Sequence, residues 1–131
     1  MGAPAILDSN IVIYFLDGRM PDQALELLEK QLNDFGSFVS VISMIELLGW
    51  QAPGQFAMQQ IEHFLAESTI LPLTDAVVEK TIQIRRTYKI KLPDAIIAAT
   101  AMTHGFTLIS RNDNDFLKIS GLQYMNPFPL A

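Results

Sequence analysis

The stretch Lys91-Leu-Pro-Asp94-Ala-Ile-Ile-Ala-Ala-Thr-Ala-Met102 decides the fold. Pro93 is preset for a first helical turn, Gly105 supplies a stop, and almost everything between them is apolar. A helix that is hydrophobic on all sides must be buried rather than laid on a surface. Asp94 sits at the mouth of that helix, at the edge of the core. There a carboxylate needs a cation, a cap or another partner to offset its desolvation.

Outward from this helix the chain alternates between two periodicities. Ala5-Ile6-Leu7 reads as a short buried strand feeding an apolar helix, Asn10 to Leu16, that stops near Gly18 and Pro21. Asp22 to Phe35 places Ala24, Leu25, Leu27, Leu28 and Leu32 among charges, an amphipathic helix ending before Gly36. Ser37 to Val41 is a second strand. A helix from about Met44 to Trp50 follows, then a break at Ala52-Pro53-Gly54 and a helix bearing Phe56, Met58, Ile61, Phe64 and Leu65.

Thr69 to Leu73 suits a third strand with Pro72 at its end, and Thr74 offers a cap to a helix over Asp75 to Tyr88. Beyond Gly105, Phe106 to Ile109 makes a fourth strand and Gly121 to Met125 a weaker fifth. Strands joined through helices run parallel, with helices covering both faces of the sheet. The expected class is α/β, with a central, mainly parallel sheet. No repeat, low-complexity tract or linker divides residues 1–131, so one domain is expected.

Composition narrows the partners. Half of the 131 residues are hydrophobic and 18% are charged, which leaves apolar surface for self-association or a bound protein. Cysteine is absent, so disulfides, thiolate zinc sites and cysteine nucleophiles are excluded. The N-terminal residues lack a basic flank with a long apolar run, and a cytoplasmic location without membrane attachment is expected. A net charge of −5 disfavours broad adhesion to nucleic acid through lysine and arginine alone.

Acidic residues recur where apolar segments end or begin: Asp8 in Leu7-Asp8-Ser9-Asn10, Glu46 in Ser43-Met-Ile-Glu46, Asp94, and Asp115 in Ser110-Arg-Asn112-Asp-Asn-Asp115-Phe116. In open parallel sheets, sites form beyond the carboxyl ends of the strands, which is where these acids fall. Carboxylates massed together repel unless a divalent ion neutralises them, and an oxygen-only donor set points to Mg²⁺ or Mn²⁺. Such an ion can polarise a phosphoryl oxygen and activate water, so phosphodiester hydrolysis needs no side-chain nucleophile.

Each acid also has a structural reading. Asp8 and Ser9 are good caps. Ser43 and Glu46 have the spacing of a capping box, Asp94 opposes a helix dipole, and residues 112–115 are ordinary turn formers. Independent caps would scatter over both ends of the sheet, whereas these gather on one rim. His63 reads as a surface or boundary residue and His104 as a cation in a last turn. Arg85, Arg86, Lys89 and Lys91 form a solvated face or a guide for a polyanion. Trp50, Phe56, Met58 and Phe64 read as core more readily than as interface.

Taken in order, Leu7-Asp8-Ser9-Asn10, Glu46, Leu92-Pro93-Asp94-Ala95-Ile96-Ile97-Ala98-Ala99-Thr100-Ala101 and Leu108-Ile109-Ser110-Arg111-Asn112 with Asp115-Phe116 resemble the PIN-domain nucleases, and among them the VapC-type toxins. The resemblance runs nearly the whole chain, to Asn126-Pro127-Phe128. It implies a three-layer α/β/α sandwich, Mg²⁺- or Mn²⁺-dependent endoribonuclease activity on RNA, a homodimer, and a cognate antitoxin protein.

By position, Asp8, Glu46 and Asp94 match the family's acids as metal ligands and catalytic groups, and Asp115 is a fourth catalytic candidate. Ser9, Asn10, Ser110 and Asn112 are candidates to position substrate or water. Where the family often carries Thr-x-Asp, this chain has Ser110-Arg111-Asn112, which leaves open whether Asn112, Asp113 or Asp115 fills the fourth position and whether a second ion binds.

Two other functions fit parts of the pattern. A haloacid-dehalogenase-like phosphohydrolase would use Asp8 as nucleophile, but it wants an acid two residues later, where Asn10 stands. A PIN-like module could also bind RNA or protein after losing turnover. That reading rests on Asn112.

Overall fold

Five short strands are separated by seven helices, two after each of the first three strands, in the computed structural model, which describes residues 2–129. Met1, Leu130 and Ala131, though inside the expected 1–131 domain, lie outside the described residues. The strands are β1 (Ala5–Leu7), β2 (Phe38–Ser40), β3 (Thr69–Leu71), β4 (Thr107–Ile109) and β5 (Tyr124–Met125). They form one sheet in the order β3-β2-β1-β4-β5, every pair parallel. The helices are α1 (Ser9–Leu16), α2 (Asp22–Phe35), α3 (Val41–Gly49), α4 (Gln55–Ala66), α5 (Asp75–Thr87), α6 (Leu92–His104) and α7 (Asp113–Phe116).

The pleat sorts the core into two halves. Ile6 and Leu108 point to one face and pack with Val77, Ile84, Ile97, Phe116 and Ile119. Ala5, Leu7 and Ile109 point to the other, against Ile11, Val12, Ala24, Leu28, Leu47, Ile61 and Leu65. This alternation is the period of two expected of strands covered on both sides. The three-layer α/β/α arrangement follows.

The expected all-apolar helix is α6. Residues 95–101 are all buried, and Gly105 ends the helix in the left-handed region at φ 70°. There a side chain would strain the backbone. Burial of one such isoleucine contributes about 1.5–3 kcal/mol, so this helix anchors the layer it sits in.

Two local readings differ from the sequence expectation. Helix α3 starts at Val41, a turn before Met44, because Ser40 at the end of β2 is the cap: its Oγ accepts from the Ile42 and Ser43 amides at 3.0 and 3.3 Å. The capping-box reading of Ser43 and Glu46 is therefore incorrect. The turn at residues 112–115 winds into α7, capped by Asn112. Trp50 and Phe56 are also not core residues; Phe56 is 72% exposed.

Candidate active site

Strand order places a switch point between β1 and β4: the chain steps outward through β2 and β3, then returns to the opposite side of β1. At such a point the loops leaving neighbouring strands diverge and open a crevice. Asp8 leaves β1 and Ser110 leaves β4, and the two side chains meet there. Ser110 Oγ donates to Asp8 Oδ2 at 2.8 Å. Asp8 Oδ1 accepts from the Ser9 amide at 2.8 Å, so the capping role is real, and Asn10 Nδ2 lies 3.3 Å from both Asp8 Oδ2 and Ser110 Oγ. Asp8 is 5% exposed and Ser110 fully buried, which fixes that carboxylate to a single orientation.

Glu46 comes from the exposed side of α3 and is turned toward α1, where Ser9 Oγ donates to its Oε1 at 2.8 Å. Asp94 stands in the first turn of α6. Asn112 links it to the fourth candidate: its Nδ2 is 3.0 Å from Asp115 Oδ2 and 3.5 Å from Asp94 Oδ2. Asp113 faces elsewhere. Its Oδ1 lies 2.6 Å from the Tyr124 hydroxyl and 3.2 Å from Asn126 Nδ2, on the β5 side. Burial, and then Asp113, hold the Tyr124 phenol far above its ordinary range, so it stays a hydrogen-bond donor.

The acids feel one another. Burial raises the Asp8 carboxyl, with Glu46 adding to the shift and the Ser110 and Ser9 hydrogen bonds opposing it. Asp94 is pushed up to about 7, first by burial, then by sharing a hydrogen with Asp115, then by the charges of Asp8, Asp115 and Glu46. Asp115 moves down, chiefly because Asn112 donates to it, with help from Asp94, Lys118 and Lys91. The two shifts oppose each other, Asp94 toward its protonated form and Asp115 toward its carboxylate.

No salt bridge reaches these four acids among the described residues. Uncompensated carboxylates with all-oxygen donors suit a hard divalent cation. Their spacing is looser than a finished site: among the described residues no three His, Asp or Glu side chains stand close enough to hold one ion. The donor chemistry fits such an ion, since all four side chains offer carboxylate oxygens.

The expected site residues therefore lie on one rim, joined by Ser110, Asn10, Ser9 and Asn112. Sequence reasoning gave no role to Arg111, Tyr14 or Phe128, which lie next to it. The Arg111 amide is 3.4 Å from Asn10 Oδ1, while its guanidinium lies 3.9 Å from the Phe128 ring and 5.1 Å from Tyr14. Nothing in the sequence pairs a helix aromatic with a residue from the far end of the chain.

A parallel sheet with unneutralised acids gathered at its switch point defines a class of α/β proteins suited to cation-assisted phosphate chemistry. Within that class the chain belongs to the PIN domain family, which it matches over residues 5–122. It is 30% identical over 132 residues to Ribonuclease VapC1 of Rickettsia felis, covering 92% of this chain and 93% of that protein.

Among solved structures, a toxin-antitoxin complex from Klebsiella pneumoniae is similar with a TM-score of 0.75 and 29% identity, over 96% of this chain and 99% of that one. VapBC2 from Rickettsia felis, bound to a DNA fragment from their promoter, has a TM-score of 0.79 at 22% identity, over 93% and 97%. The latter speaks for the fold alone. Among the described residues no helix is long and apolar enough to cross a membrane.

Proposed function

We propose that residues 1–131 form one PIN-like domain acting as a metal-dependent endoribonuclease, the toxin of a VapBC-type pair, which hydrolyses RNA phosphodiester bonds. The observation that carries this reading is the gathering of Asp8, Glu46, Asp94 and Asp115 from four separate segments at one rim, linked through Ser110, Ser9 and Asn112. The family membership and the ribonuclease name of the Rickettsia felis relative support it. A cytoplasmic location, a homodimer and a cognate antitoxin belong to the same proposal, and toxin-antitoxin complexes among the structural neighbours support the antitoxin.

Asp8, Asp94 and Glu46 are the residues to hold Mg²⁺ or Mn²⁺, which when bound supplies a Lewis acid for the phosphoryl oxygen and acidifies a water. Ser110 and the Ser9 amide keep Asp8 from rotating. Ser9 aims Glu46 at the rim, where its carboxylate binds the ion or orients the attacking water. Asn112 bridges Asp115 and Asp94, so the fourth acid completes the outer edge of the set. Asn10 donates an amide hydrogen to Asp8 and has no titratable proton to give, which argues against the dehalogenase-like reading.

The test is a Mg²⁺ titration with labelled single-stranded RNA. Fragments that appear with metal, vanish with chelator and are absent for Asp8→Asn support the proposal. RNA retained without fragments at any metal concentration would make the chain a binding module.

A further inference from the structure

Beside the acidic rim the molecule carries a stack of opposite charge. Tyr14 and Phe128 meet edge to face with centroids 5.3 Å apart. Arg111 lies 3.9 Å from Phe128 and 5.1 Å from Tyr14, and Arg19 lies 4.7 Å from the Tyr14 ring. Both arginines are exposed. Arg19 also pairs with Asp17, whereas the Arg111 guanidinium has no carboxylate partner among the described residues.

A guanidinium fixed near an aromatic ring loses little further freedom when its N–H edge engages an anion. In a chain of net charge −5 this is an unusual place to spend two cations. It is also a placed one. Arg111 follows Ser110, its amide bonds Asn10, and Asn10 bonds Asp8, so two hydrogen bonds separate the Arg111 backbone from the buried carboxylate.

We infer that Arg111, seconded by Arg19 across the Tyr14 ring, grips the phosphate backbone of single-stranded RNA next to the acidic rim. The inference rests on the ribonuclease reading for its ligand. Its argument is charge and position: carboxylates repel a polyanion, and a strand must be held at its flank before it can lie over them. Lys91 stands just before the first turn of α6 that carries Asp94, and Lys118 just beyond α7 that carries Asp115, so two further cations adjoin the segments bearing these acids. Arg111 makes the contact next to Asp8, and Arg19 adds a second one beside a concavity of about 480 Å³ that it lines with Trp50 and Phe56.

The experiment reads anisotropy of an end-labelled, mixed-sequence single-stranded RNA against the full chain in chelator, over a series of salt concentrations, for wild type, Arg111→Gln, Arg111→Lys and Arg19→Gln. Arg111→Gln is expected to weaken binding about tenfold and to reduce the slope of log affinity against log salt by about 0.7, the loss of one phosphate contact on a single strand. Arg111→Lys keeps the slope and loses part of the affinity, because the charge stays while the planar fork goes. A merely structural arginine would shift the melting temperature and leave the slope alone.

Unchanged affinity and slope in Arg111→Gln, or a wild type that does not hold the RNA, overturns the inference. So does a loss confined to an acidic peptide such as polyglutamate with RNA affinity intact, which would assign the stack to a protein partner. A wild type that holds RNA through Arg111 yet yields no fragments when Mg²⁺ is added overturns the nuclease reading and leaves this one standing.

Discussion

Ser9 Oγ holds Glu46 Oε1 at 2.8 Å, joining the first turn of α1 to the middle of α3 by a side-chain bond between positions far apart in sequence. The bond is exposed, so it contributes little to stability and much to aim. Ser9→Ala is expected to cost about 0.5 kcal/mol in urea denaturation while slowing RNA cleavage about tenfold, since Glu46 then samples other rotamers. Equal losses in Glu46→Gln and in the double variant would show that the two residues act as one unit.

Asp8→Asn keeps shape and removes charge from a site that burial already makes unfavourable for an anion. Cleavage is expected to fall about a thousandfold or more. The melting temperature in metal-free buffer should hold or rise, because relief of repulsion from Glu46 offsets the altered hydrogen bonding to Ser110. A collapse of the fold in calorimetry would show that Asp8 is mainly a structural cap.

Asp94 sets a pH dependence whose sign is fixed by its raised carboxyl. With a folded value near 7 against an ordinary 3.8, the folded state holds more protons than the unfolded state over that window. Stability of the metal-free protein therefore falls as pH rises from about 4 to about 7, by roughly 1–2 kcal/mol once solvent screening is discounted. Asp115, moved the other way, contributes stability above about 4 that is lost on further acidification. Thermal melts in chelator should decline across the first window, and Asp94→Asn should flatten the decline.

Mg²⁺ should reverse that trend. A cation needs the deprotonated carboxylates, so the rise in melting temperature on adding Mg²⁺ is expected to grow up to about pH 7 and then level off. A metal-induced shift that is equal at pH 5 and pH 8 would count against Asp94 as a ligand.

Ser40 and Ser43 differ sharply despite lying three residues apart. Ser40 caps α3, and its replacement by alanine is expected to cost about 1 kcal/mol. Ser43 is fully buried with no partner for its hydroxyl among the described residues, so Ser43→Ala should be neutral or gain up to about 1 kcal/mol. Denaturant midpoints of the two variants check both signs.

The elements legible in the sequence are those with strong period or punctuation. The run after Pro93 is a buried helix, Gly105 stops it, Thr74 caps α5, and Ala5 to Leu7 is a strand. The start of α3 was hidden because Ser40 and Ser43 are equally good caps by composition, and only the end of β2 decides between them. Among the site residues, position relative to strand ends was readable. The connecting bonds were not: Ser110 to Asp8, Ser9 to Glu46 and Asn112 to Asp115 depend on side-chain directions that the sheet order sets. The arginine stack on Tyr14 and Phe128 lay beyond sequence reading for the same reason.

The bond from Ser110 to Asp8 spans 102 positions. A polypeptide still being synthesised therefore carries Asp8 early but cannot lock it until β4 and the residue after it have left the ribosome. Order at the Asp8 carboxylate therefore comes with closure of the sheet, when β4 docks beside β1, and not with the folding of the segment that carries it.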